Sequence, residues 1–279
     1  MESCSAFAPA NISLIFETYD ASPPRGRGSL GVGITLTEGV TVRAQKGKEA
    51  RHEILVGGEE WEFGTVRSVL EVLSPNLALR LEVAAAFPFG CGFGMSGASA
   101  LAAAFAVDRL LRLDRAREEL GMIAHHAEVQ NATGLGDVGG QFNGGIMIKR
   151  SKYDYLKVEQ LPVKAETLHV RIFGPILTSE VINSREKLLH INEAGRSAIK
   201  EITEAGEHLT LNRLLNISKD FALHSWLPLS KRLCESIAAA EAAGHAATMI
   251  MLGEAAVSSG PFPGSRPVKV HHDGVRLLA

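Results

Sequence analysis

A glycine-rich stretch is the part of the sequence whose residue types point most directly to chemistry. It reads Pro88-Phe-Gly-Cys-Gly-Phe-Gly-Met-Ser96, and a further glycine follows at 97. Glycines let backbone N–H groups approach an anion with no Cβ in the way. A helix that begins near Ser96 would direct its positive dipole end to the same place. A tight turn is the alternative, but one glycine normally suffices for a turn, so the stretch predicts a phosphate site.

Two common nucleotide motifs do not describe this loop. The Walker pattern G-x-x-x-x-G-K-[ST] is absent from it. The glycines from Gly92 to Gly97 fit G-x-G-x-x-G, but the loop lies deep in the chain, and the residues beyond it are predicted to be helical. A dinucleotide site needs a strand that ends in an acidic residue about 20 residues further on. Because Ser96 lies where the loop meets the predicted helix, its hydroxyl is expected to reach a phosphate, or a Mg²⁺ ion bound to one.

A second candidate set follows the loop. Asp137 ends the string Thr-Gly-Leu-Gly-Asp, and Gly144-Gly145 comes soon after it. An aspartate held between glycines in a tight loop can act as a general base, although a helix N-cap is the competing interpretation. Glu128, on the preceding predicted helix, would bind metal or cover a solvated face. Arg25 and Arg27 lie in a Pro- and Gly-rich loop, where they are either solvated or bind an anion.

The elements that must position these residues alternate between strands and helices. Strands are predicted at Ala6–Phe16, Gly31–Val42, Leu77–Ala86, Ile146–Lys149, Ala246–Leu252, Pro267–His271 and Val275–Leu278. Helices are predicted at Ser96–Leu111, Ala116–Asn131, Leu209–His224 and Leu229–Ala243, with a helical pattern over 178–207. The alanine-rich first helix is apolar nearly all the way round, which predicts that it is buried.

Composition excludes several classes of function. The 279 residues are 46% hydrophobic and 22% charged, with a formal net charge of −2. The sequence has no dense basic tract, so binding to nucleic acid or to an anionic membrane is not expected. The apolar runs are too short to span a bilayer, and the three cysteines form no disulfide framework or C-x-x-C metal site. We therefore expect a cytoplasmic protein with no membrane or nucleic-acid partner.

The loop and the aspartate together resemble the GHMP kinase superfamily, whose central motif is P-x-x-x-G-L-G-S-S-A. In this chain Met95 replaces the first serine and Gly97 replaces the alanine. The resemblance implies that Asp137 is the catalytic base and that Ser96 binds Mg²⁺. It also implies Mg²⁺ binding by Glu128, although Glu128 lies a couple of residues closer to the aspartate than the acidic ligand of the superfamily does. It also implies that ATP phosphates bind at Pro88, Gly90, Gly92, Gly94, Met95, Ser96 and Gly97.

Two further segments bear on the resemblance. Phe7-Ala-Pro-Ala-Asn11 resembles the opening strand motif of the superfamily, whereas Met249-Ile-Met-Leu-Gly253 departs from its third motif, G-x-G-G-G-G. The strings G-F-G-M-S-G-A, T-G-L-G-D-V and M-x-M-L-G are similar to the archaeal pantoate kinase subgroup. That similarity implies ATP-dependent phosphorylation of the 4-hydroxyl of (R)-pantoate, giving 4-phosphopantoate for coenzyme A synthesis, by a homodimer.

The resemblance also implies the architecture and the substrate contacts. The expected fold is α+β with two domains, a ribosomal-protein-S5-like one over residues 1–155 and a ferredoxin-like one over 156–279, and the active site lies in the cleft. The carboxylate of pantoate needs a cationic partner, which we expect to be Arg25 or Arg27. The alternatives are a kinase for shikimate, homoserine or mevalonate, and a nucleotide-binding regulator without catalysis. A regulator needs no base, so the presence of Asp137 argues against it.

Overall fold

Two long antiparallel strands form the centre of the first sheet. In the computed structural model, which describes residues 3–20, 26–176, 181 and 184–279, strand β1 covers Ser3–Tyr19 and β2 covers Gly28–Lys46. They pair along nearly their whole length, with irregularities at Pro9/Ala10 and Ser13/Ile15. Both strands are mostly buried, because helices cover one face of this sheet and apolar side chains fill the contact.

The remaining strands of the first sheet come from distant parts of the chain. Its order is β12-β1-β2-β5-β3-β4, with β6 paired to β2 and β7 paired to β6. Only β3 and β5 pair in parallel among these described strands. The bounds are Glu53–Val56 for β3, Glu59–Glu60 for β4, Leu79–Ala85 for β5, Ile146–Lys149 for β6, Glu159–Gln160 for β7 and Arg276–Leu278 for β12.

Four helices belong to this part of the chain: α1 (Gly64–Leu73), α2 (Met95–Leu111), α3 (Arg117–Gln130) and α4 (Asp137–Asn143). Helix α2 packs against β1, β2, α1 and α3, and nearly all of its side chains are buried. Its many alanines allow this close approach on all sides and favour the helix intrinsically. The start of α2 is therefore held rigidly at the end of the loop that follows β5.

A second sheet has the order β11-β8-β10-β9 and is antiparallel throughout. Its strands are β8 (Thr167–Pro175), β9 (Ala247–Met249), β10 (Gly253–Ser258) and β11 (Arg266–Lys269). Helices α6 (Leu211–His224) and α7 (Lys231–Ala242) pack against its strands, and helix α5 (Arg185–Ala205) packs against α6 and β1. The side chains of Ser184, Thr210 and Ser230 cap their N-termini.

The two sheets meet at the glycine-rich loop and at β1. The Gly90 carbonyl accepts from the Ile176 amide at 2.9 Å, and the Met251 amide donates to the Ser13 carbonyl at 3.0 Å. The two sheets and their helices confirm the predicted α+β class. The domain boundary at 155/156 stays a prediction, and the short strands β7 and β12 pair with the first sheet.

Most predicted elements are confirmed within a few residues, and the errors have physical reasons. The predicted strand Ala246–Leu252 ends at Met249, because a turn there leads directly into β10. The tight loop predicted at Asp137 is instead the first turn of α4. Elements α1, β3, β4, β7, β8 and β10 are absent from the predicted set. None of the helices in the described part of the chain is long and apolar enough to cross a membrane.

Candidate active site

The glycine-rich loop joins β5 to the buried helix α2. Gly90, Gly92 and Gly94 have φ values of +76°, +83° and +64°, in the region that favours glycine. Gly94 is the N-cap of α2, and no side chain among the described residues caps this helix end. The first N–H groups of α2 are therefore available to an anion, as the phosphate-site prediction requires.

The predicted phosphate-binding residues occupy three different environments. Gly90, Gly92, Gly94, Met95 and Ser96 line a cleft of about 600 Å³. Pro88 is exposed just before it, and Gly97 lies in the first turn of α2. A Cβ at Gly92 would lie 2.9 Å from the Met251 carbonyl oxygen. The loop is thus packed against the second sheet on one side and opens into the cleft on the other.

Asp137 lies at the cleft wall as the first residue of α4, and the N-cap there is Gly136. Its Oδ1 accepts hydrogen bonds from Asn11 Nδ2 and from Ser13 Oγ, both at 2.8 Å. Burial raises the pKa of the Asp137 carboxyl, and these two donors partly oppose the rise. Because the carboxylate accepts from strand β1, it is oriented by tertiary contacts and does not cap its own helix.

Glu128 lies on α3 and is only 1% exposed. Its Oε1 accepts from Thr133 Oγ1 at 2.6 Å, and its Oε2 has no hydrogen-bond partner among the described residues. Burial raises the pKa of this carboxyl to about 7, Asp137 adds to the rise, and the hydroxyls of Thr133 and Ser96 oppose it. A buried carboxylate oxygen without a partner is costly unless a cation or a donor meets it.

The structure brings Ser96, Glu128 and Asp137 to one place. The Ser96 hydroxyl lies close enough to lower the pKa of the Glu128 carboxyl, and the nearby Asp137 charge raises it. A Cβ at Gly134 would clash with Glu128 Oε2 and lie 3.6 Å from Asp137 Oδ2, so both oxygens border the same glycine. Ser96 and Asp137 therefore line the cleft beside the start of α2, and the Glu128 carboxyl is buried next to them.

These donors fit Mg²⁺, which binds one or two carboxylates and completes its coordination with phosphate oxygens and water. In the described part of the chain, no group of three or more His, Cys, Asp or Glu side chains could hold a metal on its own. The unpartnered Oε2 of Glu128 and the neighbouring Ser96 hydroxyl would be the protein's share of such a site. The remaining ligands would come from a bound nucleotide.

Lys149 also lines the cleft, although it is absent from the site residues predicted from the sequence. It ends strand β6 opposite Gly31 of β2, and it is 6% exposed. Its Nζ lies 5.0 Å from the centre of the Tyr155 ring, and burial lowers the pKa of the ammonium to about 8. A lysine at the end of an otherwise apolar strand was the signal in the sequence. Lys149 therefore places a cation in a cleft that contains little water.

Stacking and a hydrogen bond fix the position of the Tyr155 ring beside Lys149. The His125 ring stacks on Tyr155 at 4.6 Å, and Tyr155 Oη donates to the Gly26 carbonyl at 2.6 Å. Burial, followed by the charge of Lys149, lowers the pKa of His125 to about 3, so this imidazole is neutral at pH 7. Lys149 is therefore the charged member of this group.

Of the two predicted substrate arginines, the structure describes only Arg27. Arg25 lies outside the described residues. Arg27 Nε lies 2.8 Å from Asp20 Oδ1, and the Arg27 main chain hydrogen-bonds His125. Arg27 is thus close to the group around Lys149, and its role as a substrate ligand stays a prediction.

An aromatic cluster lines the cleft near the beginning of the glycine-rich loop. Trp61, Phe63 and Phe89 meet edge to face, with ring centres 5.1–5.9 Å apart. Trp61 is 45% exposed, although large aromatic side chains are usually more buried. The cluster therefore offers an apolar surface next to the glycine-rich loop.

The chain is similar to known proteins over most of its length. The family profile described as the GHMP kinases N terminal domain matches residues 63–145, which contain the loop, Glu128 and Asp137. A pantoate kinase of Methanocaldococcus jannaschii is 32% identical over 237 residues, covering 83% of this chain and 84% of that protein. The chain belongs to the pantoate kinase family of the GHMP superfamily. A pantoate kinase of Methanospirillum hungatei is 30% identical over 261 residues, covering 89% of this chain and 84% of its own length.

The fold of this family member agrees with that of solved relatives. A structure described as a phosphotransferase related to the CoA biosynthesis pathway superimposes with a TM-score of 0.85 at 24% identity, covering 99% of both chains. This likeness confirms the GHMP kinase fold that the sequence motifs predict. The chain therefore keeps the superfamily's fold although Met95 and Gly97 differ from the general motif.

Proposed function

We propose that the protein transfers the γ-phosphoryl group of ATP to the 4-hydroxyl of (R)-pantoate, giving 4-phosphopantoate for coenzyme A synthesis. The observation that carries the proposal is the meeting of Asp137, Glu128 and Ser96 at the uncapped start of α2. That arrangement supplies a phosphate cradle, a metal site and a base within one cleft. The similarity to pantoate kinases over most of the chain supports pantoate as the acceptor.

Phosphoryl transfer depends mainly on positioning and on neutralising charge. The loop from Gly90 to Gly97 would hold the nucleotide phosphates with the free N–H groups of α2. Ser96 and Glu128 would hold Mg²⁺, which when bound offsets the negative charge of the phosphates. Because Glu128 Oε2 is buried and unpartnered, it gains more from a cation than an exposed carboxylate would.

Asp137 is the proposed general base. A primary alcohol is a weak nucleophile, and a carboxylate within hydrogen-bond reach can orient it and accept its proton. The donors Asn11 and Ser13 both act on Oδ1, so they fix the carboxylate while Oδ2 borders Gly134 at the cleft. We propose that Oδ2 receives the proton of the substrate hydroxyl.

Lys149 is the proposed partner of the pantoate carboxylate. It lines the same cleft, it is buried, and its ammonium is held over the Tyr155 ring. A cation in a site with little water attracts a carboxylate more strongly than an exposed one does. Arg25 and Arg27 remain candidates for a second contact to the same group.

The aromatic cluster is the proposed site of the adenine ring. Trp61, Phe63 and Phe89 adjoin Gly90, so a base stacked there would lie beside the phosphates. Stacking of a base on an aromatic side chain stabilises binding by about 1–3 kcal/mol. This end of the cleft would therefore supply part of the ATP affinity.

A panel assay tests the proposed acceptor. ADP release is measured with ATP and Mg²⁺ against (R)-pantoate, shikimate, homoserine and mevalonate at equal concentrations. We expect turnover with pantoate and little with the others. Turnover with one of the other alcohols would replace pantoate by that substrate, and no turnover with any of them would favour a nucleotide-binding regulator.

The homodimer and the cytoplasmic location remain predictions from the sequence. Light scattering coupled to size-exclusion chromatography would give the mass in solution, which we expect to be twice that of the 29.8 kDa chain. A mass equal to one chain would contradict the dimer.

A further inference from the structure

Gln141 is a fully buried polar residue that the proposed chemistry has not yet used. It lies on α4, one turn after Asp137, and its side chain has no exposure to solvent. Its amide nitrogen Nε2 donates to the Gly94 carbonyl at 2.7 Å. A carbonyl can only accept, so this bond fixes which end of the amide faces the loop. The amide oxygen Oε1 must therefore point the other way.

The oxygen of Gln141 faces the proposed metal site. Oε1 has no hydrogen-bond partner among the described residues, and the same is true of Glu128 Oε2. A Cβ at Gly97 would lie 2.9 Å from Gln141 Oε1 and 3.2 Å from Glu128 Oε2. Two buried acceptors that have no hydrogen-bond partner among the described residues therefore border one glycine. Buried acceptors are nearly always satisfied, so this pair indicates a missing donor or cation.

We infer that the Gln141 amide oxygen belongs to the metal site as a positioning residue, accepting from the water layer of the ion held by Ser96 and Glu128. Mg²⁺ usually keeps several of its waters in a protein site, and those waters need acceptors. The inference rests on the proposed function, because that function requires the ion. Gln141 would also tie the ion to the phosphate loop, since its nitrogen holds the carbonyl of the α2 N-cap.

The same geometry gives a reason for Gly97, where the superfamily motif has alanine. A methyl group at position 97 would lie against the Gln141 oxygen at 2.9 Å, closer than real Cβ contacts allow. The buried amide would have to move away from Glu128 to make room. Gly97 and Gln141 are therefore matched, and a change at either one should disturb the same site.

The test measures metal binding apart from turnover. Mn²⁺ binding is followed by electron paramagnetic resonance with a non-hydrolysable ATP analogue, in wild type and in Gln141→Met, which keeps the volume but has no amide. We expect the Mn²⁺ dissociation constant to rise about 10–100-fold, as it does when outer-shell partners are lost. Analogue affinity in EDTA should change less than about threefold, well below that loss. Gln160→Met is the matched control, because Gln160 also donates to a backbone carbonyl, that of Gly144, at 2.8 Å.

Each other outcome has a distinct meaning. Unchanged Mn²⁺ affinity in Gln141→Met, or an equal loss of analogue affinity in EDTA, would overturn the inference and leave Gln141 only as support for the loop. Wild-type protein that binds no Mn²⁺ beside the analogue would refute the proposed function, and the inference with it. Thermal unfolding of each variant without ligand establishes that it folds.

Gly97→Ala gives a second route that does not remove the amide. We expect it to raise the Mn²⁺ dissociation constant in the wild-type background but to add less in Gln141→Ala, where the tightest contact of the methyl group is removed. Such non-additivity is the mark of two residues acting at one site. Fully additive effects of the two substitutions would overturn the matched pair.

Discussion

Lys149→Met is the substitution whose effect the structure defines most closely. The change removes the ammonium and keeps an apolar chain of similar length on β6. Lys149 is 6% exposed and lines the cleft, so the pantoate carboxylate would lose a cation in surroundings with little water. ATP, whose proposed contacts lie along the glycine-rich loop, should be affected far less.

The magnitude follows from the burial of the ammonium. Two unit charges about 4 Å apart attract by about 4 kcal/mol near a protein surface, and loss of one partner of a buried charge pair costs about 2–5 kcal/mol. The cleft also admits water, so we take about 3 kcal/mol. At 1.4 kcal/mol for each factor of ten, the KM for pantoate should rise about 100-fold. The KM for ATP should stay within about threefold.

The assay is steady-state ADP release with each substrate varied in turn. Lys149→Arg keeps the charge and should recover most of the loss. Lys152→Met is the control, because Lys152 lies nearby and is exposed, with its Nζ 5.7 Å from the Tyr19 ring. An equal rise of both KM values in Lys149→Met, or an equal effect in Lys152→Met, would refute the carboxylate assignment.

Three further predictions follow from the same site. Asp137→Asn should lower kcat by about 10²–10⁴-fold while nucleotide affinity, measured by calorimetry, stays nearly constant, and unchanged turnover would remove the base. The KM for pantoate should be constant below about pH 8 and rise above it, because burial lowers the pKa of Lys149 to about 8 and the ammonium loses its charge as pH rises through that value. Lys149→Arg should abolish the rise, since a guanidinium stays charged, and a wild-type profile flat to pH 10 would contradict it. Gly92→Ala should destabilise more than Gly57→Ala in thermal unfolding. Both residues have positive φ, at a cost of about 1–2 kcal/mol, but only the Cβ at position 92 meets the Met251 carbonyl, at 2.9 Å. Equal losses would show that the loop has room to move.

Residues in contiguous motifs could be predicted from the sequence because their chemistry is local. The spacing of the glycines and the position of Ser96 at the start of a helix follow from short-range rules, and the structure agrees with them. The approach of Glu128 to Ser96 also agrees with the prediction, although a helix and a turn separate them in the chain. Their assignment as metal ligands stays a prediction.

Residues contributed by strand pairing were harder to find. Lys149 enters the cleft because β6 pairs with β2, and Asn11 reaches Asp137 across 126 residues of sequence. Neither contact leaves a periodic signal. The helix at Asp137 was also hidden, because the segment Asp-Val-Gly-Gly-Gln-Phe-Asn has poor helix propensity and is held by tertiary contacts.

Helix α1 is different, because its sequence does carry a signal. Val66, Val69, Leu70 and Leu73 recur at helical spacing and are all buried. The periodic pattern is sufficient to predict this helix, yet the helix is absent from the elements predicted above. The omission has a consequence for the site, since the aromatic cluster at Trp61 and Phe63 comes directly before this helix.

The central claim is that the 4-hydroxyl of pantoate receives the phosphoryl group, and the position of the phosphate in the product tests it most directly. Proton-coupled ³¹P NMR of the product distinguishes the two hydroxyls of pantoate, because the 4-hydroxyl is carried by a CH₂ group and the 2-hydroxyl by a CH group. The proposed function predicts a phosphorus signal coupled to two protons, formed by wild type and not by Asp137→Asn. A signal coupled to one proton, or no new phosphate ester from pantoate, would contradict it.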